Sequence, residues 1–522
     1  MLLCLIGFII SNAQDITFQK TYGGIDGDVA FDMKQTNDNG YIVCGFTSSY
    51  GSAIYLIKLT AAGDTTWTKT YGKTPDGVWG ISVKQTTDKG YLVTGYTSYA
   101  LGSCGPCDEA VYVIKTDSLG NIIWSKNYGP VFARFNSTVE TADNGYILAG
   151  NTVGLGQGQS DIYLVKTDSA GSIVWTKVFG GIYSDEANSI QPTSDGGYII
   201  AGTTGSFGAG ISDICLLKID TNGNIQWTKT YGGIDYDLGA DADQTTDGGY
   251  IVVGSSISFS TTDETILIKT DSNGNVIWSR SFNAGATSVQ QTSDGGFAFS
   301  GNFKSGTTSD ISLVKTDATG NPVWNKSYGG LNDDEVRSSH QTQDGGFIMA
   351  GMTNSFGAGG YDVYLIKTDS IGNSGCADGW PALTSSAVLL QTNIPAFVET
   401  SGGTVNDNPP NILSGCQVTT LCIVTANDEI FTRTDAIIVY PNPCSSIFTV
   451  SLSEAERCPT EGKTYWIVNE AGQAIRSFEL NDANNYTMNI EGLTSGIYFV
   501  SGVGNDNDPD FEVTNQKIIV TK

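Results

Sequence analysis

The chain has 522 residues, 27 basic against 54 acidic side chains, and a formal net charge of −27. So acidic a protein is not a nucleic-acid or anionic-membrane binder, because both need positive charge to displace counterions or meet lipid phosphates. Gly accounts for 65 residues while charged residues reach only 16%, a balance that suits turn-rich all-β structure and excludes helical bundles and coiled coils.

The first predicted element is the apolar run MLLCLIGFIISNAQ, which ends in Ser11-Asn12-Ala13 before polar Gln14. It reads as a signal peptide over 1–13, cleaved between Ala13 and Gln14, although no Lys or Arg precedes it; a buried N-terminal strand is the alternative. No later stretch reaches the roughly 20 apolar residues of a membrane-spanning helix.

Self-comparison then dominates the reading. The turn Asp-x-Gly-aromatic recurs seven times, placing the aromatic ring at Tyr41, Tyr91, Tyr146, Tyr198, Tyr250, Phe297 and Phe347, and a tryptophan recurs six times at Trp67, Trp124, Trp175, Trp227, Trp278 and Trp324. A period near 50 residues with four short strand patterns per copy is one propeller blade. The last copy stops before its fourth strand, whereas the N-terminal DITFQKTYGG reads as a fourth strand with Phe18 at the tryptophan position. The expectation is a seven-bladed β-propeller over 15–373, closed by its N-terminal strand. That closure resembles WD-repeat propellers, without the WD signature itself.

Strand order sorts the loops. Tight Asp-Gly turns share one face; the longer loops and the blade connections, such as GGIDYDLGA and GGLNDDEV, share the other. Acidic residues gather there, and Asp235, Asp237, Asp333 and Asp334 are the candidate ligand-binding residues, with calcium as the metal such carboxylates would take. Solvated acidic loops are the alternative. The turns Asp-Ser-Asn-Gly-Asn also resemble the start of a calcium loop, but hairpin geometry explains them without metal. Asp117-Ser118-Leu119 and Asp168-Ser169-Ala170 resemble a Bacteroidetes O-glycosylation motif and equally suit a turn. Along the inner strands, Asp32, Lys34, Lys84, Asp241, Asp243 and His340 alternate toward the central channel. Paired carboxylates there could serve a glycosidase; a wet polar channel is the plainer reading. His340 is the single histidine of the chain, which excludes most His-based catalytic triads and supports no zinc site.

Of the cysteines, Cys44 and Cys215 sit in apolar strand patterns and read as core fillers. Cys104 with Cys107, and Cys444 with Cys458, are possible disulfides, as are two of Cys376, Cys416 and Cys422. Residues 374–430, rich in Ser, Thr, Pro and Asn, read as a linker. Residues 431–522 read as a small β-sandwich, with strands near IIVYPNP, IFTVSL, YWIVNE, YTMNI, GIYFVSG and KIIVTK.

That last segment carries a resemblance. Pro441-Asn442-Pro443 before a strand, Gly496 and Tyr498 in GLTSGIYFV, and Lys517, Val520 and Lys522 in the terminal KIIVTK resemble the C-terminal sorting domain of the Bacteroidetes type IX secretion system. The resemblance implies passage across the outer membrane, contact with the secretion machinery, removal of the domain by a sortase, and attachment to surface lipopolysaccharide or release. Cys444 and Cys458 depart from the family pattern. The expected protein is therefore a secreted or cell-surface propeller acting as a binding or adhesion module, with glycans or surface proteins as partners. The alternative is a carbohydrate-active enzyme, a glycoside hydrolase or lyase, using carboxylates of the loop-rich face or channel.

Overall fold

The Asp-x-Gly turn is where sequence becomes structure most directly. In the computed structural model, Thr193 and Gly197 close a hairpin by backbone hydrogen bonds, and Gly196 takes a φ of 83°, a left-handed value that L side chains adopt reluctantly. Asp195 accepts from the Thr193 hydroxyl at 2.5 Å and from the Gly197 N–H at 3.0 Å. Its other oxygen meets the ammonium of Lys218, which comes from the blade's third strand. The same ion pair recurs in every repeat, at 2.8 to 2.9 Å, between Lys58, Lys115, Lys166, Lys218, Lys269, Lys315 and Lys367 and their turn aspartates.

The structure describes residues 16–376, apart from 73–76, 98–110, 129–132, 261–262 and 306–307, and beyond 376 the backbone of the strands alone. Ala13, Gln14, Cys104, Cys107, Pro441, Asn442, Pro443, Cys444, Cys458 and Lys522 lie outside the described residues. Within them, seven sheets of antiparallel strands form the propeller. Blades 1 to 6 span 28–71, 78–128, 133–180, 185–232, 237–282 and 288–328, and blade 7 combines 334–368 with Thr17–Gly23. The second and third strands of each blade are almost wholly buried, so the core is the stack of sheet faces.

Consecutive blades are locked by aromatic contacts. Trp67 of blade 1 stands edge-on to Tyr91 of blade 2 at 5.8 Å, and the Tyr71 hydroxyl donates to the Gly120 carbonyl at 2.7 Å. At the closing junction Phe18 meets Tyr41 edge-on at 6.5 Å and the Tyr22 hydroxyl donates to Gly63 at 2.6 Å. Thr17–Gly23 pairs with Asp362–Thr368 from Phe18 opposite Lys367 to Tyr22 opposite Val363. The expected closure is thus present, with Phe18 doing what tryptophan does elsewhere.

The stretch read as a linker contains more than a tether. Ser385–Ala387, Gln391–Asn393, Val398–Thr400, Val405–Asp407 and Ile412–Leu413 each add a fifth strand to the outer edge of blades 5, 4, 3, 2 and 1 in turn. The chain therefore runs backward around the ring. An outer strand presents unpaired N–H and C=O groups, and any extended segment satisfies them through its backbone, which is why composition gave no sign of it. Cys44 and Cys215 are buried and free, as expected, and Cys376 is disulfide-bonded.

Among the described residues, the C-terminal unit has seven strands in two sheets. Ile437–Tyr440, Ile447–Leu452 and Tyr486–Asn489 form one; Ala474–Leu480, Lys463–Asn469, Gly496–Gly502 and Asn515–Val520 form the other. Ala474–Leu480 is a strand that the sequence reading did not anticipate. Gly496 and Tyr498 pair with Val520 and Ile518, so of the expected sorting residues Gly496, Tyr498, Lys517 and Val520 share one hairpin.

Candidate functional site

Seven inner strands converge on the axis, and in six of them the register jumps by one residue: from Ala30 to Asp32, Gly80 to Ser82, Phe135 to Ser137, Ala187 to Ser189, Gly239 to Asp241 and Val336 to Ser338. A glycine in the neighbouring second strand makes room for each bulge. A Cβ on Gly202 would collide with the Glu186 carbonyl, and Gly45, Gly95, Gly150, Gly254 and Gly351 stand in the same relation to their own inner strands.

The bulge turns one side chain per blade toward the loop-rich face. Phe31, Ile81, Asn136, Asn188, Ala240 and Arg337, with Thr287 from blade 6, line a cavity of about 400 Å³ at the channel mouth. The Arg337 guanidinium lies 5.8 Å above the Phe31 ring, Phe31 stands edge-on to Trp79 at 5.6 Å, and Trp79 stacks on Phe46 at 4.3 Å. Arg134 covers Tyr96 at 4.5 Å. The Asn136 amide donates to the Ala187 carbonyl at 2.9 Å and that of Asn188 to Gly239 at 2.7 Å. Two adjoining depressions, of about 510 and 630 Å³, share Asn136, Asn188, Glu186 and Leu238 with the mouth or with each other. Reading strict alternation along these strands missed the whole column. The available signal was variability: among aligned repeats this position holds Phe, Ile, Asn, Asn, Ala, Thr and Arg inside a constant frame.

Deeper in the channel, the expected polar residues fall into two groups. Asp32 accepts from Lys34 at 2.7 Å, from the Ser338 hydroxyl at 3.0 Å and from the Val83 N–H at 3.0 Å, and Lys34 Nζ lies 2.8 Å from His340 Nε2. Burial opposes the charge on Asp32, but the Lys34 ammonium outweighs it and holds the carboxyl below its ordinary range. Burial and then Lys34 push His340 down to about 3, so its imidazole is neutral. Burial, then Lys34, also lowers Lys84. On blade 5, Asp241 accepts from the Val289 N–H at 3.0 Å, and burial together with Asp241 pushes Asp243 up to about 6. These side chains tie adjacent blades together around the axis.

The acidic connections are arranged differently from the expectation. Asp237 and Asp334 are wholly buried. Asp237 Oδ2 accepts from the Gly233 N–H and the Ser258 hydroxyl, both at 2.7 Å, and Asp334 repeats this with Gly330 and Ser355. Through this oxygen each holds the connection in its turn, because a buried carboxylate needs donors. Asp235 and Asp333 remain partly exposed; the Ser309 N–H donates to Asp333 at 2.9 Å. What the connections do present is apolar: Ile25, Ile182, Ile234 and Leu331 at equivalent tips are 67 to 91% exposed.

Opposite each buried carboxylate stands another from the third strand of the preceding blade. The pairs are Asp161 with Asp185, Asp213 with Asp237, Asp310 with Asp334, and Asp362 with Asp28. Burial and then the facing charge push up Asp161, Asp213, Asp310 and, to about 7, Asp362.

With this geometry in place, the C-terminal strands meet their counterpart among known families: residues 438–521 match the family model described as the secretion system C-terminal sorting domain. The chain carries a type IX sorting domain. It is accordingly directed to the cell surface or beyond, and no helix among the described residues is long and apolar enough to cross a membrane. No curated protein matches the chain. Among solved structures, a protein of unknown function from Bacteroides caccae is 12% identical, with 50% of this chain and 93% of that chain covered and a TM-score of 0.33. One from Dyadobacter fermentans is 10% identical, covering 67% and 98%, at 0.41. The extracellular domain of a putative hybrid two component system from B. thetaiotaomicron is 10% identical, covering 94% and 84%, at 0.22. Scores this low carry no functional argument.

Proposed function

We propose that the propeller is a binding or adhesion module, carried outward by the sorting domain, whose ligand face is the channel mouth on the loop-rich side. One observation supports this above the others: seven blades of near-constant frame each turn one variable side chain onto a single cavity, as expected of a recognition surface on a rigid scaffold. Aromatic faces beside planar amide, guanidinium and carboxylate groups suit the alternating apolar and hydroxyl faces of a sugar, so glycans are the ligand class we favour. The type IX machinery and its sortase are the export partners, and lipopolysaccharide attachment is the anchoring route the sorting domain suggests. A glycan array probed with the secreted protein tests this: binding lost in Asn188→Ala and Arg337→Ala supports it, and binding unaffected by both refutes the assigned face. A carbohydrate-active enzyme would instead use Asp241 and Asp243; turnover of a bound glycan, abolished in Asp243→Asn, would establish that reading.

A further inference from the structure

The four facing carboxylate pairs have a property that hydrogen bonding leaves unexplained. Each Asp that opens an inner strand satisfies its Oδ2 with an N–H and a serine hydroxyl, and Asp185 Oδ1 also accepts from the Thr204 hydroxyl, but the Oδ1 atoms of Asp28, Asp237 and Asp334, and those of facing Asp161, Asp213 and Asp310, are buried without a hydrogen-bond partner. Asp28, Asp161, Asp213, Asp237 and Asp334 are 0 to 2% exposed. At the Asp213–Asp237 and Asp310–Asp334 junctions unsatisfied acceptor therefore faces unsatisfied acceptor, and a buried charged oxygen left in that state is costly.

The pairs also follow a strict internal rule. At the junctions before blades 1, 4, 5 and 7, both members are Asp and a Gly-Gly precedes them. Before blade 2 the corresponding residues are Ala53 and Val78, before blade 3 Ala110 and Ala133, and before blade 6 a single acid, Glu264, faces Ala284, which opens the strand behind Asn283 rather than glycine. At the junction before blade 2 the backbone is the same: the Val78 N–H donates to the Ser52 carbonyl as the Asp237 N–H does to Ser212. The first glycine is required by the carboxylates themselves. A Cβ on Gly329 would lie 2.5 Å from Asp310 Oδ1 and 2.6 Å from Asp334 Oδ2, and one on Gly23, Gly180 or Gly232 would strike its own pair likewise. The fold therefore manages without carboxylates at some junctions, and elsewhere brings two together around a glycine.

We propose that these four junctions are binding sites for a divalent cation of the calcium class, each held between the third-strand Asp of one blade and the Asp that opens the next. Two carboxylates match a double positive charge, and all-oxygen donors select a hard cation over zinc or copper. No group of three metal-ligating side chains exists among the described residues, so backbone carbonyls and water would complete the shell. Such ions would clamp blades 7 to 1, 3 to 4, 4 to 5 and 6 to 7.

The test is elemental analysis and thermal melting of the full-length protein, stripped with a chelator and then titrated with calcium chloride. The expected result is uptake approaching four ions per chain, a melting temperature that falls on stripping and returns with calcium, and one ion fewer in Asp213→Asn. Should that variant fail to fold, the wild-type stoichiometry still decides. A protein that retains no calcium at millimolar concentration overturns the proposal. So does one whose melting temperature ignores chelator and rises on acidification, because a proton shared within each pair would then be the occupant.

Discussion

Lys218 shows what a single side chain contributes here. Its stem is buried, its ammonium caps the Asp195 turn of its own blade, and its partner is largely exposed. The turn aspartates Asp143, Asp195, Asp247 and Asp294 are held at about 2, Asp143 chiefly by its lysine and threonine and the others by such bonds acting against burial. Asp243 and Asp362 are shifted the other way, to about 6 and about 7. The two sets act at opposite ends of the pH scale. Turn aspartates stabilise the fold above pH ~4, and that contribution is lost as pH falls through about 2. Asp243 and Asp362 hold protons in the folded chain that the unfolded chain releases, so stability falls as pH rises from about 4 to 7. His340 acts with the opposite sign, its contribution present above pH ~6.5 and lost as pH falls toward about 3. The test is therefore a difference: in chelator, Asp243→Asn should remove from the wild-type profile a decline on the order of 3 kcal/mol between pH ~4 and ~6. Coincident profiles for the wild type and Asp243→Asn would contradict the assignment.

At the scale of the element, the closing strand and the bulge glycine make separate predictions. Deleting residues 15–24 removes the pairing with Asp362–Thr368 and the burial of Phe18 and Tyr22. Backbone bonds at about 1 kcal/mol each and two aromatic rings at about 2 kcal/mol each make this a loss of several kcal/mol. A truncated protein melting within a degree or two of the intact one would show that the ring does not depend on this strand. Gly202→Ala should push the Glu186 bulge away and cost about 3 kcal/mol in denaturant unfolding. It should also displace Asn188 and with it any mouth ligand. The strand pattern was legible because turn chemistry and period-2 burial are local. The bulge was not, since it inserts one residue without changing the residue types around it. For the same reason Asp237 and Asp334 looked like surface groups: sequence places them in an acidic loop, and only the preceding blade shows that they face inward.

For the whole molecule, the propeller and the sorting domain are separate units, with Ala426–Lys522 grouping apart from the ring. Removing residues 517–522 takes the partner strand from Gly496–Gly502 and leaves every blade intact. The protein should then accumulate folded in the periplasm, as fractionation and protease protection would show. Equal surface amounts of truncated and full-length protein would count against this route of export. The sequence by itself determined the blade number, the closing strand, the division into two faces and the export signal, because each is written in residues close together in the chain or repeated along it. Only the tertiary structure decided which side chains meet at the mouth, that carboxylates of successive blades face each other in pairs, and that five short strands between Ser385 and Leu413 join the outer edges of five blades. Those contacts join residues from different blades through backbone groups and buried space, and neither is encoded in the spacing of residue types.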